Sequence, residues 1–334
     1  MPDNLVFVTG GSGFIGSATV VALLKKGYRL RVCLCEPSDK FQILVSSYKK
    51  LLDLIVVPDF TSEGAFRGLL DGVDHVVHLA HPLPIGADKN SYFIPAIKTT
   101  KSLLDEAAQV ATIKKFVLTS SIAALMPLDL EKIPPTLAIK EENPWDLSFD
   151  ETEDFSASND PRGVPMRLYH ASKLLADRTA KTFRDTKKPS FSMVTVYPGF
   201  VYGRNLAQSS AEEVNVSSNG LLWHAIMQGS PHLSGAWIPA VHIDDVVEAY
   251  MKILGSAIVD GSGYLLVGET RGWKKVAEIV QRDYPALGAR ITRDIGIEFL
   301  KTDASKTEAE LGLHWRRWEE IIHDVVEQQL EFKQ

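Results

Sequence analysis

The sequence has only two cysteines in 334 residues, Cys33 and Cys35, and both lie on one predicted strand. Because they are two positions apart, their side chains would point to the same face of the strand, too close along the chain for an easy disulfide. No other cysteine lies nearby to complete a set of zinc ligands. The sequence therefore predicts neither a disulfide framework nor a metal site.

The sequence also lacks a long apolar run and a basic patch. No apolar run is long enough to span a bilayer, and the first predicted strand begins by Leu5, which leaves no room for a signal peptide. The formal net charge is −6, and residues 129–163 alone carry ten Asp or Glu against three Lys or Arg, a local −7 that leaves about +1 (−6 minus −7) for the rest. We therefore expect a cytoplasmic protein that binds neither nucleic acid nor a membrane.

What the sequence does have is an alternation of short apolar runs and amphipathic stretches. Runs typical of buried strands are NLVFVTG, YRLRVCLC, LDLIVVPD, VDHVVHLA, KKFVLTSS and FSMVTVYPG. Helical periodicity appears between them in FIGSATVVALLKKG, EGAFRGLLDG, IKTTKSLLDEAAQVA and RLYHASKLLADRTAKTF. This alternation predicts an α/β fold with a Rossmann-type, doubly wound parallel sheet.

The stretch VFVTGGSGFIG joins the first predicted strand to the first predicted helix. Its glycines match both G-x-G-x-x-G and T-G-x-x-G-x-x-G. Glycine permits a tight turn, a close approach to a pyrophosphate and close helix–strand packing, and the first helical amides can bind phosphate. This context favours a dinucleotide site over a bare glycine-rich turn. The predicted contact residues are Thr9, Gly10, Gly11, Ser12, Gly13, Phe14, Ile15 and Gly16.

Past residue 200 the alternation becomes irregular, which divides the chain. We predict a dinucleotide-binding domain over residues 1–199, with residues 238–254 packing back on it. A smaller, mostly C-terminal substrate-binding region would comprise residues 200–237 and 255–334, with helical stretches such as LLWHAIMQG and WEEIIHDVVEQQLEF. The polar segments 129–163 and 205–220 are long enough to predict lids or binding walls.

Tyr169 and Lys173 lie four residues apart in a predicted helix and therefore share one of its sides. Such a pair also occurs by chance on many helices, as a solvated surface pair. A free phenol has a pKa near 10, and a nearby ammonium lowers it by favouring the phenolate. Tyr169 could then serve as a general acid.

The glycine turn, the strand end VLTSS and the Tyr169–Lys173 pair occur in the order seen in extended short-chain dehydrogenases/reductases, which the sequence resembles over nearly its whole length. The stretches PAIKTTKSLLDEA, KKFVLTSSIAAL, EENPW and LYHASKLLAD look like the branch of dihydroflavonol reductase, cinnamoyl-CoA reductase and yeast and fungal aldehyde and ketone reductases. The resemblance implies an NAD(P)H-dependent carbonyl reductase. In it, Tyr169 protonates the carbonyl oxygen and Lys173 also binds the nicotinamide ribose. Ser121, with Ser120 as the alternative, holds the substrate oxygen.

The resemblance also places the cofactor along the sheet. Asp59 and Phe60 would lie at the adenine and Pro198, Gly199 and Val201 at the nicotinamide carboxamide, while Leu79, Ala80 and His81 would follow the middle of the cofactor. A structural turn accounts equally well for that middle segment.

The stretch after the second predicted strand bears on the choice of nucleotide. The resembled reductases carry Arg where Cys35 stands and prefer NADPH, whereas Glu36 is near the distance expected of an acid that binds the ribose 2′-hydroxyl of NAD. Lys40 could replace the arginine as a phosphate partner, although a solvated lysine is the simpler interpretation. NADP(H) is slightly favoured over NAD(H).

We predict an apolar, aromatic substrate pocket for a small, hydrophobic aldehyde or ketone. The flavonoid reductases carry a substrate-binding Asn where this chain has Met126, which argues against a dihydroflavonol. The predicted lining is Pro82, Leu125, Met126, Phe200, Tyr202, Trp223, Met227 and Trp237.

Two other functions compete with a reductase. A nucleotide-sugar epimerase or dehydratase of the same superfamily would carry Arg and Asn before V-Y-G, which VYPGFVYGR lacks, and a non-catalytic dinucleotide-binding regulator would typically lose the Tyr169–Lys173 pair. The protein could be a monomer or a homodimer.

Four histidines are assigned no metal-binding or catalytic role. His78 and His81 have no third metal ligand in view. His170 points about 100° away from Tyr169 and is expected to be solvated. His242 precedes a helix that Asp244 or Asp245 would cap.

Overall fold

The computed structural model describes residues 4–83, 86–155, 163–229, 239–270, 272–292 and 300–333. Its main sheet has seven parallel strands in the order β10-β7-β5-β4-β1-β2-β3. These are β1 (Leu5–Thr9), β2 (Arg29–Leu34), β3 (Leu52–Val56), β4 (His75–His78), β5 (Lys115–Thr119), β7 (Ser192–Pro198) and β10 (Gly263–Leu266). Two short parallel pairs lie outside it, β6 (Ala138–Ile139) with β11 (Lys301–Thr302) and β8 (Phe200–Tyr202) with β9 (Ala240–His242).

Helices cover both faces of the sheet, as predicted for a doubly wound fold. The helices are α1 (Phe14–Lys25), α2 (Asp39–Leu44), α3 (Asn90–Ala107), α4 (Val164–Lys187), α5 (Asn219–Gln228), α6 (Ile243–Gly255), α7 (Trp273–Asp283), α8 (Ser305–Leu311) and α9 (Trp318–Glu331). Within the described ranges, no helix is both long and apolar enough to cross a membrane.

The strand β1 shows why both faces must be covered. All five of its residues are buried, and alternate side chains enter different cores. Val6 and Val8 pack with residues of α1 and α6, whereas Leu5 and Phe7 pack with residues of α3 and α4. The predicted fold class is therefore confirmed.

A third apolar cluster forms the smaller C-terminal part. Residues of α5, α7 and α9 pack there around Trp273 and Trp318. The strand β10, which the predicted boundary assigns to the substrate-binding region, instead pairs with β7 in the main sheet. The division of the chain into two parts stays a prediction, except that β10 belongs to the main sheet.

One predicted helix, over residues 63–72, is wrong. Those residues form turns, and Gly64, Gly68 and Gly72 all have positive φ angles of about 70°. A left-handed residue cannot continue a right-handed helix, so each glycine ends the turn before it. Phe66, Leu69 and Leu70 follow helical spacing but pack against the core from a folded loop.

Candidate active site

The carboxyl ends of the central strands meet at one edge of the sheet. From β1, the strands β2 and β3 continue to one side, whereas β4, β5 and β7 continue to the other. The crevice between the ends of β1 and β4 is the switch point at which sheets of this topology bind ligands. There, the Thr9 hydroxyl lies 2.7 Å from Nδ1 of His78.

The glycine turn that follows β1 is closely packed at three of its glycines. Gly10 has φ +72°, and a Cβ there would lie 2.7 Å from the amide nitrogen of Ala80. A Cβ on Gly11 would lie 2.5 Å from the Val32 side chain, and one on Gly16 would overlap the carbonyl oxygen of Gly10. The fold itself therefore requires glycine at these positions.

Gly13 is different, because the protein leaves room for a side chain there. It is exposed, and its Cβ would meet only the carbonyl oxygen of Gly10, at 3.4 Å. Gly13 is the N-cap of α1, and that helix has no side-chain cap and no acid in its first turn. The space at Gly13 opens outward and lies beside the first amides of α1, so a pyrophosphate could bind there. The neighbouring Ser12, Phe14 and Ile15 are partly exposed.

The predicted adenosine residues follow β2 and β3. Cys35 and Glu36 are exposed directly after β2. Burial and the negative charges of Glu36 and Asp59 raise the pKa of the Cys35 thiol, which shows that these side chains are neighbours. The Asp59 carboxylate accepts hydrogen bonds from the backbone and hydroxyl of Thr61 at 2.8 and 2.7 Å. The ring of Phe60 is buried in the core.

Lys40 is on α2 and is not a free surface lysine. It forms an ion pair with Glu213, which lies in the 3-10 helix Ala211–Val216 of the segment 205–220. The adjacent Phe41 is buried, and its ring would lie 3.7 Å from a Cβ on Gly11. The helix α2 therefore packs beside the glycine turn through Phe41 and pairs with Glu213 through Lys40.

The segment after β4 connects the glycine turn to α4. Leu79 donates its backbone N–H to Thr9 at 3.2 Å, and the half-buried Ala80 and Pro82 flank His81. Nε2 of His81 lies 2.9 Å from the Ser172 hydroxyl.

The imidazole of His81 also packs edge-on against the Tyr169 ring, with centroids 5.6 Å apart. Burial, aided by the positive charge of Lys173, holds the pKa of His81 well below its usual range. His81 is therefore a neutral side chain that packs against Tyr169, a contact that the sequence could not predict.

The three residues predicted to be catalytic lie together. Tyr169 and Lys173 are on α4, and Ser121 follows β5. The Ser121 hydroxyl lies near enough to the Tyr169 phenol to lower its pKa. Nζ of Lys173 lies 5.6 Å from the centroid of the Tyr169 ring and donates to the carbonyl oxygen of Thr119 at 3.2 Å. The buried Ser120 hydroxyl has no hydrogen-bond partner among the described residues.

The electrostatics differ from the prediction that Lys173 lowers the pKa of Tyr169. Burial raises the pKa of Tyr169 to about 12, and the nearby Ser121 hydroxyl acts against this shift. Burial also lowers the pKa of Lys173 to about 7, although the charge of Asp177 opposes it. An ion loses its hydration in the interior, so both neutral forms are favoured. Tyr169 is therefore protonated at neutral pH, which is the form that can donate a proton.

Asp177 is a candidate that the sequence reasoning missed. It is buried on α4, accepts a hydrogen bond from the Tyr197 hydroxyl at 2.9 Å and lies 2.8 Å from Nζ of Lys181. Tyr169, Lys173, Asp177 and Lys181 recur at intervals of four residues and form one stripe along the helix. The spacing was visible in the sequence, but the burial of the acid was not.

The predicted nicotinamide segment lies at the carboxyl edge of β7. Pro198 ends β7, and the next residue, Gly199, donates its N–H to Leu266 at 3.0 Å. A Cβ on Gly199 would overlap the carbonyl oxygen of Pro239. Val201 is buried in β8. The bond between Gly199 and Leu266 places the predicted nicotinamide segment next to the end of β10.

The predicted pocket residues fall into two apolar clusters. Phe200 and Tyr202 stack with ring centroids 6.3 Å apart and pack with Trp223 and Met227 in the cluster of α5, α7 and α9. Tyr202 is only 1% exposed, so it supports the wall rather than forming its surface.

The second cluster contains Leu125 and Met126, packed with Tyr197. Leu125 is 1% exposed and also supports the wall from within. Trp237 lies outside the described residues.

Two histidines differ from the predictions. His170 is half-buried rather than solvated, and its Nε2 donates to the carbonyl oxygen of Met126 at 3.0 Å. His242, and not Asp244 or Asp245, caps α6, because its Nδ1 accepts the N–H of Asp244 at 3.1 Å. His170 thus fixes the backbone at one of the predicted pocket residues.

The start of the segment 205–220 is held by buried amides. Gly203 exchanges two hydrogen bonds with the Asn219 side chain, at 3.2 and 2.6 Å. Asn205 exchanges two with the Gln328 side chain of α9, at 2.8 and 2.9 Å. The C-terminal helix therefore fixes the chain just after the predicted pocket residues of β8.

Comparison with known proteins agrees with this geometry. Residues 6–265 match the model of the NAD dependent epimerase/dehydratase family. The chain is 61% identical to Ketoreductase sphI of Aspergillus fumigatus over 332 residues, which cover 99% of each protein. It is 28% identical to Ketoreductase CTB6 of Cercospora nicotianae over 360 residues, 99% of this chain and 96% of that protein.

Among solved structures, the yeast methylglyoxal/isovaleraldehyde reductase Gre2 complexed with NADPH is similar in fold. It has a TM-score of 0.82 and 24% identity, and the match covers 98% of this chain and 99% of Gre2.

Proposed function

The chain belongs to the NAD dependent epimerase/dehydratase family and is an NAD(P)-dependent carbonyl reductase, and on that premise we propose that Tyr169 is its general acid. The observation that carries this proposal is the position of the Tyr169 phenol, which lies near the Ser121 hydroxyl and has Nζ of Lys173 5.6 Å from the centroid of its ring. A proton donor for a carbonyl oxygen thus stands at the sheet edge that holds the glycine turn.

Each of the three residues has a distinct part in the reaction. The bound dinucleotide supplies a hydride for the carbonyl carbon. Tyr169 holds a proton at Oη and gives it to the carbonyl oxygen, while the Ser121 hydroxyl orients that oxygen by a hydrogen bond. The Lys173 ammonium stabilises the phenolate that Tyr169 becomes, and its bond to Thr119 keeps it near the ring.

We propose NADPH as the preferred nucleotide, held by the amides at Gly13 and by Lys40 near the adenosine end. The structure of Gre2 contains NADPH, which supports the choice. Glu36 and Asp59 both lie near Cys35, and we assign the role of cationic partner of a 2′-phosphate to Lys40, which is the basic residue in the stretch after β2. The compartment and oligomeric state stay predictions: cytoplasmic, and monomer or homodimer.

We propose a hydrophobic ketone or aldehyde as the substrate. The predicted pocket residues belong to apolar clusters, and the half-buried Phe200, Trp223 and Met227 offer an apolar surface of the kind that lines small-molecule sites. The name of Ketoreductase sphI supports a ketone in particular.

The test follows NADPH and NADH absorbance separately over a panel of hydrophobic ketones and aldehydes. We expect Tyr169→Phe to lose about 10²-fold or more in kcat while its affinity for NADPH in a fluorescence titration is unchanged. Tyr264→Phe is the matched control, because Tyr264 bonds Glu310 on another part of the sheet. Unchanged turnover in Tyr169→Phe would refute the role of Tyr169.

A further inference from the structure

The ion pair between Lys40 and Glu213 joins two parts of the chain that are 173 residues apart in sequence. Lys40 follows β2, where sheets of this topology bind the adenosine ribose. Glu213 belongs to the segment 205–220, which begins after the predicted pocket residues of β8. The pair therefore links the adenosine end of the site to the substrate side.

The carboxylate of Glu213 is held in place before it meets the lysine. Its second oxygen accepts the backbone N–H of Ser209 at 2.8 Å and the Ser209 hydroxyl at 3.1 Å. Together, Ser209 and Lys40 lower the pKa of Glu213, so it is ionised at neutral pH. The Glu213 carboxylate is thus already paired with the Lys40 amine that a nucleotide phosphate would need.

Hydrogen bonds hold both ends of the segment 205–220, so Glu213 does not lie on a loosely attached loop. The Gln328 side chain bonds the backbone of Asn205, and the Asn219 side chain bonds the backbone of Gly203. The side chains of Asn205, Gln328 and Asn219 are all buried. Ser218, at the other end, donates its hydroxyl to the carbonyl oxygen of Val201. Both ends of the segment are therefore anchored on described residues near β8.

The charges at the adenosine end make Lys40 important. In residues 35–44, which follow β2, Lys40 is the one basic residue, against the acids Glu36 and Asp39. Asp59 adds a further negative charge beside Cys35, and Lys98 of α3 acts on Asp59. Glu213 neutralises the cation that would otherwise favour a 2′-phosphate.

We propose that Glu213 is a specificity-determining residue that competes with the 2′-phosphate of NADP(H) for Lys40. The side chain of Lys40 is 56% exposed, and exposed ion pairs are weak, so a phosphate dianion can replace the carboxylate. NADPH has to break this pair, whereas NADH leaves it intact. The inference rests on the proposed function in taking the glycine turn as the nucleotide site and Lys40 as the partner of the 2′-phosphate.

The test measures dissociation constants of NADPH and NADH by calorimetry at low ionic strength, without any turnover. We expect Glu213→Gln to tighten NADPH binding about two- to five-fold, the range expected for an exposed ion pair, and to leave NADH binding unchanged. Lys40→Gln should weaken NADPH binding, and adding Glu213→Gln to it should then have no effect. Glu212→Gln, the neighbouring acid on the same short helix, is the matched control and should change neither constant.

The outcomes separate the possibilities. If Glu213→Gln alters NADPH and NADH binding equally, the pair only holds the segment, and the proposal is wrong. If it alters neither, or if its effect persists in the Lys40→Gln background, Glu213 does not compete for Lys40. A wild-type protein that binds both nucleotides but reduces no ketone would refute the proposed function and still leave this comparison intact.

Discussion

Nζ of Lys173 donates a hydrogen bond to the carbonyl oxygen of Thr119, 3.2 Å away, and so joins α4 to the carboxyl end of β5. Ser121 lies two residues beyond Thr119, and Tyr169 lies one turn before Lys173 on the same helix. This bond therefore connects the two elements that carry the predicted hydroxyls. It also keeps a lysine in the interior, where its charge is costly.

The buried Lys173 predicts how activity depends on pH. Burial lowers its pKa to about 7, whereas that of Tyr169 is raised to about 12, so Lys173 is the group that titrates near neutrality. The reactive form has the ammonium, which exists below its pKa. We therefore expect kcat/KM for ketone reduction to fall about tenfold per pH unit above pH ~7, since kcat/KM reports groups of the free enzyme.

The matched variant is Lys173→Arg, whose guanidinium stays charged over the same range. Whatever activity it retains should show no decline near pH ~7. A wild-type profile that is flat through pH ~9 would contradict the assignment to Lys173.

We expect the charge of Asp177 to influence the pH at which kcat/KM begins to fall. Its buried carboxylate lies one turn beyond Lys173, and its charge raises the pKa of Lys173 against the effect of burial. In Asp177→Asn the Tyr197 hydroxyl keeps an oxygen to bond, but the charge is lost. We expect the decline in kcat/KM to begin at lower pH, with kcat below the midpoint little changed. Asp185→Asn, an exposed acid on the same helix, should leave the midpoint in place.

Much of the fold was readable from the sequence because apolar periodicity reports burial. Six of the seven strands of the main sheet were predicted, and so was the parallel, doubly wound arrangement. The strand β10 was missed because its four residues follow an irregular region and carry no alternating pattern. The prediction of a helix over residues 63–72 was wrong because the spacing of its apolar residues says nothing of the positive φ at Gly64 and Gly68.

The site was predicted by motif, but its electrostatics were not. Spacing placed Lys173 beside Tyr169, yet the direction of both pKa shifts depends on burial, which only the packed structure gives. The partners of Lys40, His81 and His170 come from residues distant in sequence, and no local pattern could have indicated them.

The glycine turn makes a prediction that separates folding from cofactor binding. Gly13→Ala adds a methyl group that the protein can accommodate, so its melting temperature should stay close to that of the wild type. The methyl group would occupy the space of the pyrophosphate, and we expect NADPH binding to weaken about tenfold or more, equivalent to ~1.4 kcal/mol. Gly16→Ala should instead destabilise the fold by at least the ~1–3 kcal/mol typical of overpacking.

Thermal melts and a fluorescence titration with NADPH measure both effects. Undiminished NADPH affinity in a folded Gly13→Ala protein would show that the pyrophosphate does not lie at this turn.

The amide clamp on Asn205 predicts a long-range effect on the substrate. Gln328 of α9 both accepts the N–H and donates to the carbonyl oxygen of Asn205, and both residues are buried. Gln328→Met would fill a similar volume but leave these two backbone groups unpaired, at a cost of about 1–3 kcal/mol for each. We expect a lower melting temperature and a raised KM for the ketone, because Tyr202 lies only three residues before the clamp. Gln328→Glu can keep both bonds only with its carboxyl protonated, which burial favours but which costs free energy at neutral pH. We therefore expect the melting temperature and the KM of Gln328→Glu to lie between those of the wild type and Gln328→Met. If both variants have the same KM as the wild type, the clamp holds the fold without shaping the pocket.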